Sequence, residues 1–141
     1  MGEIKKVSDQ FSSGSQPSVE ALKQLANQGY KSVVNLRSPG ETGSLPDEQE
    51  QAEANNLQYA NIPLNPNEAD ESLTEKVLSV VDELPTPIYF HCGAGARGGA
   101  LALIALATQQ QLGREAVIEK AKELEISLDQ PHLKQFLESL S

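Results

Sequence analysis

Two apolar periods alternate along the chain, one fitting strands and one fitting helices. Ile4 to Ser13 carries a weak strand pattern that ends in Gly14-Ser15-Gln16-Pro17. Ser18 then offers a capping oxygen, and Ala21, Leu22 and Leu25 form a helical stripe that stops at Gly29. Lys31 to Leu36, β-branched at its centre, predicts a buried strand. Pro46 is expected to open a polar helix to about Asn55, with Ala52 on its inner face and Asn56 as its stop. Leu57 to Ile62 reads as another strand, and Pro63 to Asp70 as a long turn-rich connection, the one place with carboxylates free to lean over a site. Leu73, Val77, Val80, Val81 and Leu84 mark an amphipathic helix. Ile88-Tyr89-Phe90 is a short strand fenced off by Pro85 and Pro87. A helix from about Gly98 to Gln111 is apolar almost all round at its start, which makes it central and buried, and Gly113 ends it. Arg114 to Glu125 is a short amphipathic helix. Pro131 opens a last one, with Leu133, Phe136, Leu137 and Leu140 on one face and His132 as plain surface in its first turn. Such alternation predicts one domain over residues 1–141, a three-layer α/β sandwich whose central, largely parallel sheet is flanked by helices.

Between the fenced strand and the apolar helix lie His91-Cys92-Gly93-Ala94-Gly95-Ala96-Arg97-Gly98-Gly99-Ala100. A glycine-rich strand-to-helix turn aims consecutive N–H groups at one point, with the helix N-terminus behind them, and so makes an anion site. The only cysteine of the chain sits at its mouth. Converging N–H dipoles and a nearby cation favour the thiolate, which is the nucleophilic form. Arg97 offers a planar fork for two anionic oxygens. A buried inert cysteine in a structural turn is the plainer reading, but four glycines in seven residues are costly unless the backbone must bend or approach something closely. Arg37-Ser38-Pro39-Gly40-Glu41 follows the Lys31–Leu36 strand, on the edge where α/β sheets place ligands. Arg37 and Glu41 are therefore candidates for the rim of the cysteine site or the groups behind it; a surface turn with a local ion pair is the alternative.

Composition narrows the function class. A formal net charge of −9 argues against a nucleic-acid partner, and no window approaches the roughly 18 apolar residues of a membrane span. One cysteine makes no internal disulfide, and two distant histidines with it do not supply a zinc cluster, so neither metal nor cofactor is expected. The first residues lack the apolar core of a signal peptide, which suggests a cytoplasmic protein, although a leader already removed would leave no trace. Oligomeric state has no signature in the sequence. Two reactions suit a thiolate in an amide-lined loop closed by arginine. One is attack on a phosphate monoester and hydrolysis of the thiophosphate; the other is uptake and release of a sulfane sulfur.

His-Cys followed by a glycine-containing loop and Arg resembles the signature of cysteine-dependent protein tyrosine and dual-specificity phosphatases. More of the chain resembles the bacterial beta-lactamase hydrolase-like protein, phosphatase-like domain family, a branch of that superfamily. The resemblance runs through Ser13–Ser18, Gly29–Arg37, Pro39-Gly40-Glu41, Tyr59 to Pro63 and the Cys92–Arg97 loop, and covers most of residues 4 to 110. It implies a dual-specificity-phosphatase-like fold with Cys92 as nucleophile and Arg97 as phosphate clamp. Gly93, Ala94, Gly95, Ala96 and Gly98 join Arg97 around the phosphate, and His91 orients the loop. The expected partner is a phosphorylated small molecule or phosphoprotein.

Three departures qualify this. The gap between Cys92 and Arg97 is four residues rather than five, as in rhodanese sulfurtransferases, although the phosphatase-like family also has it. Gly98 and Gly99 stand where phosphatases place the Ser or Thr that stabilises the departing thiolate, so slow breakdown of a phosphoenzyme is expected. Asn65 stands near the place of the usual aspartic acid, which leaves Glu68 and Asp70 as candidates for the general acid. Losing that acid lowers the rate by about a hundredfold or more. The expectation is a cysteine-dependent phosphatase, weak on unactivated substrates; the alternatives are a rhodanese-like sulfurtransferase or persulfide carrier, and a phosphate-binding pseudophosphatase.

Overall fold

In a computed structural model, which describes residues 4–38, 41, 43–93 and 95–140, the alternating periods become alternating elements. These are β1 (Lys5–Lys6), β2 (Phe11–Gly14), α1 (Val19–Asn27), β3 (Ser32–Asn35), α2 (Glu48–Ala54), β4 (Gln58–Asn61), α3 (Glu71–Glu83), β5 (Ile88–His91), α4 (Ala96–Gln110), α5 (Arg114–Glu123) and α6 (Pro131–Ser139). The strands form one sheet in the order β1-β2-β5-β3-β4. All neighbours are parallel except β1, which runs against β2. β5 is central, and His91 at its end is level with Gly14 of β2 and Asn35 of β3. The chain therefore leaves three adjacent strands at one edge, and the segments carrying Gln16, Arg37 and Cys92 begin there.

Alternation along the strands sorts the core into two layers. Val33 and Tyr89 face α1 and α2, together with Leu22, Leu25, Ala52 and Leu57. Val34, Ile88 and Phe90 face the other side, where α4 lies against β2 and β5 and is covered by α3, α5 and α6. Every residue of α4 from Arg97 to Ala107 is buried. Its Leu101, Leu103 and Ile104 are fully enclosed, each contributing about 1.5–3 kcal/mol over an exposed position. Local signals act as expected at several ends. The Ser18 hydroxyl accepts from the Ala21 N–H at 3.0 Å, and Gly29 leaves α1 at φ +99°.

The structure corrects several sequence expectations. Ile4 to Ser13 is two antiparallel strands, because the Ser8 hydroxyl accepts from the N–H groups of Gln10 and Phe11 and turns the chain between them. Pro46 precedes α2, which starts at Glu48 after Asp47. α4 closes on Gln111 in a left-handed conformation, and Gly113 instead precedes α5. His132 is not surface: it is 1% exposed. Gln130 Oε1 caps α6 by accepting from the N–H groups of His132 and Leu133, so Gln130 Nε2 donates to His132 Nδ1 at 3.0 Å. The His132 proton then sits on Nε2, which has no hydrogen-bond partner among the described residues. Burial first, and the charge of Arg97 second, push the His132 pKa down and keep the ring neutral. No helix is long and apolar enough to cross a membrane among the described residues.

Candidate active site

Cys92 leaves β5 directly and is 2% exposed. Gly95 turns the loop into α4 at φ +103°, a backbone conformation that side chains other than glycine's resist, and its N–H points at Cys92 Sγ at 3.2 Å. The thiol is thus held against the first turn of a 15-residue helix, where unpaired N–H groups and the helix dipole favour negative charge. Ala96 and Gly98 lie in that turn. Ala94 lies outside the described residues.

Arg97, in the same turn, is buried and turns its guanidinium onto the carbonyls of Leu36 and Leu64, at 3.2 and 2.8 Å, and onto Glu41. Both Glu41 oxygens take part: Oε2 accepts from Arg97 Nη1 at 3.1 Å and Oε1 from Nη2 at 3.0 Å. Glu41 Oε1 also accepts from Arg37 Nε at 3.2 Å, and Oε2 from the Ser38 N–H at 2.7 Å. These contacts, Arg97's first, hold the Glu41 carboxyl at a pKa of about 2 despite its partial burial. In return the Glu41 hydrogen bond stabilises the charged form of Arg97, against burial and with the Cys92 sulfur adding to it. The local ion pair expected between Arg37 and Glu41 is real, but it is joined to the cysteine loop.

Arg37 is buried too. Its N–H donates to Asn35 Oδ1 at 2.9 Å, and its Nη1 to Gln16 Oε1 at 3.0 Å. The guanidinium lies against the loop, with its central carbon 3.7 Å from where a Cβ on Gly93 would stand. Asn61 Nδ2 donates to the carbonyls of Asn35 and Arg37, both at 2.9 Å, and so fixes the turn that delivers this arginine.

His91 is fully buried, with Nε2 2.5 Å from Glu48 Oε2 and Nδ1 3.4 Å from the Cys92 carbonyl. Glu48, in the first turn of α2, is 2% exposed, and its Oε1 accepts from Gln16 Nε2 at 2.6 Å. Two carboxylates thus reach the loop's own groups, Glu41 from the turn named as a candidate for the rim of the site or the groups behind it, and Glu48 from α2. Sequence reasoning missed Glu48 altogether. α2 looks polar throughout, and the only signal was its position after a strand edge that carries a ligand turn.

Asp70 is used elsewhere. Its carboxylate caps α3, accepting from the Ser72 N–H at 2.9 Å, the Leu73 N–H at 3.4 Å and the Ser72 hydroxyl at 2.7 Å. These bonds, the Ser72 hydroxyl's first, push its pKa down in full solvent. Glu68 is exposed, and its N–H and that of Asn67 donate to Asn65 Oδ1, so the Asn65 amide shapes the turn.

A central parallel strand, a cysteine loop and a buried helix with arginine in its first turn make this a phosphatase-like fold of the tyrosine and dual-specificity phosphatase type. The family described as "DSP-PTPase phosphatase fused to NAD+ Kinase" matches residues 3–137, and the chain belongs to it. A beta-lactamase hydrolase-like protein of Agrobacterium fabrum is 24% identical over 120 residues, 83% of this chain; the chain spans 28% of that protein's length. Among solved structures, a Shewanella putrefaciens CN-32 protein described as "Putative phosphatase (DUF442)" superposes with a TM-score of 0.80 at 19% identity, over 96% of this chain and 88% of the other. The core catalytic domain of the PP-IP phosphatase SIW14 of S. cerevisiae, in complex with citrate, gives 0.75 at 17% identity, over 98% and 85%. The family resemblance read from Ser13 to Arg97 is therefore borne out, and these structural likenesses concern the fold.

Proposed function

We propose that the protein is a cysteine-dependent phosphatase acting on phosphate monoesters, with Cys92 as nucleophile. One observation carries the reading: the Cys92 sulfur accepts from the Gly95 N–H at the N-terminus of α4, one turn from a buried arginine. The thiolate attacks phosphorus while the leaving oxygen departs with the electrons of the P–O bond. The N–H groups of the loop and Arg97 hold the non-bridging oxygens, whose charge grows in the transition state. Water then attacks the thiophosphate; the S–P bond breaks, inorganic phosphate leaves and the thiolate returns. Glu41 keeps Arg97 charged and oriented throughout.

Of the two carboxylates considered for protonating the leaving oxygen, Asp70 is committed to its helix cap in the ionised form, and the role falls to Glu68. Glu68 is exposed, and among the described residues no hydrogen bond holds its side chain at the loop, so aryl phosphates, whose leaving groups need no proton, should be turned over far faster than alkyl ones. Gly98 supplies no hydroxyl to the departing thiolate, which makes breakdown of the thiophosphate the slow step. The likeness to a PP-IP phosphatase supports a phosphorylated small molecule as substrate, with a phosphoprotein as the other class.

The test pairs para-nitrophenyl phosphate hydrolysis with thiocyanate formation from thiosulfate and cyanide, in the wild type and Cys92→Ser. Phosphate release that vanishes in the variant is expected. Thiocyanate without phosphate release would refute the proposal in favour of sulfur transfer, the chemistry to which the four-residue loop also lends itself. Phosphate binding without turnover in either arm would refute it in favour of a pseudophosphatase.

A further inference from the structure

The reaction just described uses neither Glu48 nor any residue of the Ser13–Ser18 stretch, yet the two meet directly behind the cysteine. We infer that Gln16 and Glu48 act together as positioning residues of the cysteine loop. Gln16 grips the loop and Arg37 while Glu48 fixes His91, so the reactivity of Cys92 depends on both.

The contacts converge on one amide. The Gln16 backbone N–H donates to the Gly93 carbonyl at 3.3 Å, which ties the first residue of the loop to the end of β2. Its side-chain nitrogen donates to Glu48 Oε1 at 2.6 Å and to the Pro17 carbonyl at 3.1 Å, while its oxygen accepts from Arg37 Nη1 at 3.0 Å. Glu48 Oε2 is 2.5 Å from His91 Nε2, and the ring's other nitrogen faces the Cys92 carbonyl. The chain Arg37–Gln16–Glu48–His91 thus begins at a guanidinium lying on Gly93 and ends at the backbone of the cysteine itself. Segments from the ends of β2, β3 and β5 and from the start of α2 are locked into one unit.

The side-chain types are specific to this task. A buried carboxylate is costly unless both oxygens are satisfied, and here each has one short partner. Only an amide presents a donor and an acceptor side by side, as the pair Glu48 and Arg37 requires. A carboxylate at position 16 would keep Arg37 but face Glu48 with like charge. A thioether there would leave the Glu48 oxygen and the Arg37 nitrogen without their partner. Gly14 serves the same turn: a Cβ there would collide with the Tyr89 hydroxyl, which donates to the Ser15 carbonyl at 2.7 Å and holds the residue before Gln16.

The consequence for turnover rests on the phosphatase reading, but the consequence for the thiol does not. The experiment therefore reads alkylation of Cys92 by iodoacetamide at one fixed pH, followed by mass, alongside affinity for inorganic phosphate and the thermal unfolding curve. Gln16→Glu is expected to slow alkylation by about tenfold, the loss of a charge-assisted hydrogen bond. The pair Gln16→Glu with Glu48→Gln restores the donor–acceptor order between the two positions, because the new amide at 48 donates to the new carboxylate at 16, and only the Pro17 carbonyl loses its donor. It should recover the rate to within about threefold. Gln16→Met, at a half-buried position, gives the same comparison if the carboxylate variant does not fold. Folded variants that alkylate at the wild-type rate, a wild-type thiol that is inert, or a pair that regains stability without reactivity would overturn the inference. If wild type neither binds phosphate nor hydrolyses para-nitrophenyl phosphate, the phosphatase reading falls by itself and the alkylation comparison still decides this one.

Discussion

Gly98 and Gly99 are neighbours in one helical turn, yet the structure predicts opposite outcomes for the same substitution. A Cβ on Gly98 would stand 3.0 Å from the Phe90 carbonyl oxygen and 3.2 Å from both the Phe90 carbonyl carbon and His91 Cα. All three are backbone atoms of β5, the central strand, so neither side can swing away. A Cβ on Gly99 would meet the Ser13 hydroxyl and Ile126 at 3.6 Å, ordinary contact. Replacing glycine by alanine inside a helix stabilises by about 0.5–1 kcal/mol when there is room. Overpacking a close contact costs about 1–3 kcal/mol. Gly99→Ala should therefore gain about 0.5–1 kcal/mol and Gly98→Ala lose a net of about 0.5–2 kcal/mol. In a chain of this size that is a rise of about 2–3 °C for Gly99→Ala and a fall of about 2–6 °C for Gly98→Ala. Thermal unfolding by circular dichroism, with reversibility checked, measures both. Equal shifts in the two variants would refute the reasoning, because the propensity gain is common to them and only the approach of α4 to β5 differs. The same contact explains why a serine at 98 is not a simple repair. Its Cβ meets β5 before its hydroxyl can serve Cys92, so Gly98→Ser should behave in the unfolding curve like Gly98→Ala.

Two further outcomes follow from polar groups. The Glu41 carboxyl has its pKa lowered from 4.5 to about 2, so it contributes stability that is fully present above pH 4.5 and is lost as pH falls through about 2. That displacement corresponds to about 3 kcal/mol at face value and to about 1–2 kcal/mol once solvent screening of a side chain one-quarter exposed is allowed for. The stability difference between wild type and Glu41→Gln in urea should accordingly shrink between pH 5 and pH 2; a difference independent of pH would show that Glu41 is not held ionised by its arginines. Thr74 is 8% exposed and its hydroxyl has no hydrogen-bond partner among the described residues. Thr74→Val keeps the shape and removes the orphan, so unfolding should move up by about 1 kcal/mol, and an unchanged or lower midpoint would mean that a partner serves the hydroxyl in solution.

The layers of the sheet were legible because each element writes its own period: Val33 and Val34 at the centre of β3, the stripe of α3, and the unbroken apolar run of α4 all follow from local burial. The loop was legible for a different reason, since four glycines close after the one cysteine mark a backbone that must bend or approach something closely: Gly95 does the first at φ +103°, and Gly98 does the second against β5. What remained hidden was polar burial. Glu48 sits in a helix of seven residues with four other acidic or amide side chains, and nothing within α2 marks it as the one that lies under the end of β5. Its burial is decided by His91 and Gln16, which lie far away in sequence. His132 was hidden in the same way, for its environment is set by the capping amide of Gln130 and by α4 behind it. Of the two carboxylates that reach the loop's groups, Glu41 was readable from its turn after β3 whereas Glu48 comes from α2, because the ends of parallel strands gather at one edge and the segments that follow them are pooled there.

That pooling bears on how an acidic protein captures an anion. With a formal net charge of −9, the long-range field repels a phosphate dianion, so steering cannot supply the encounter. Attraction must come from short-range donors: loop N–H groups at a helix N-terminus and guanidiniums whose charge is only partly spent on one carboxylate. Arg37 and Arg97 share Glu41, so the trio carries a net positive charge beside Cys92. Short-range attraction of this kind falls away within a few ångströms, which makes it sensitive to where the groups are held rather than to how many there are. A site built this way depends on Gln16, Asn35, Asn61 and Glu48, none of which need touch a bound anion, because each keeps one arm of the site at the distance where its charge counts.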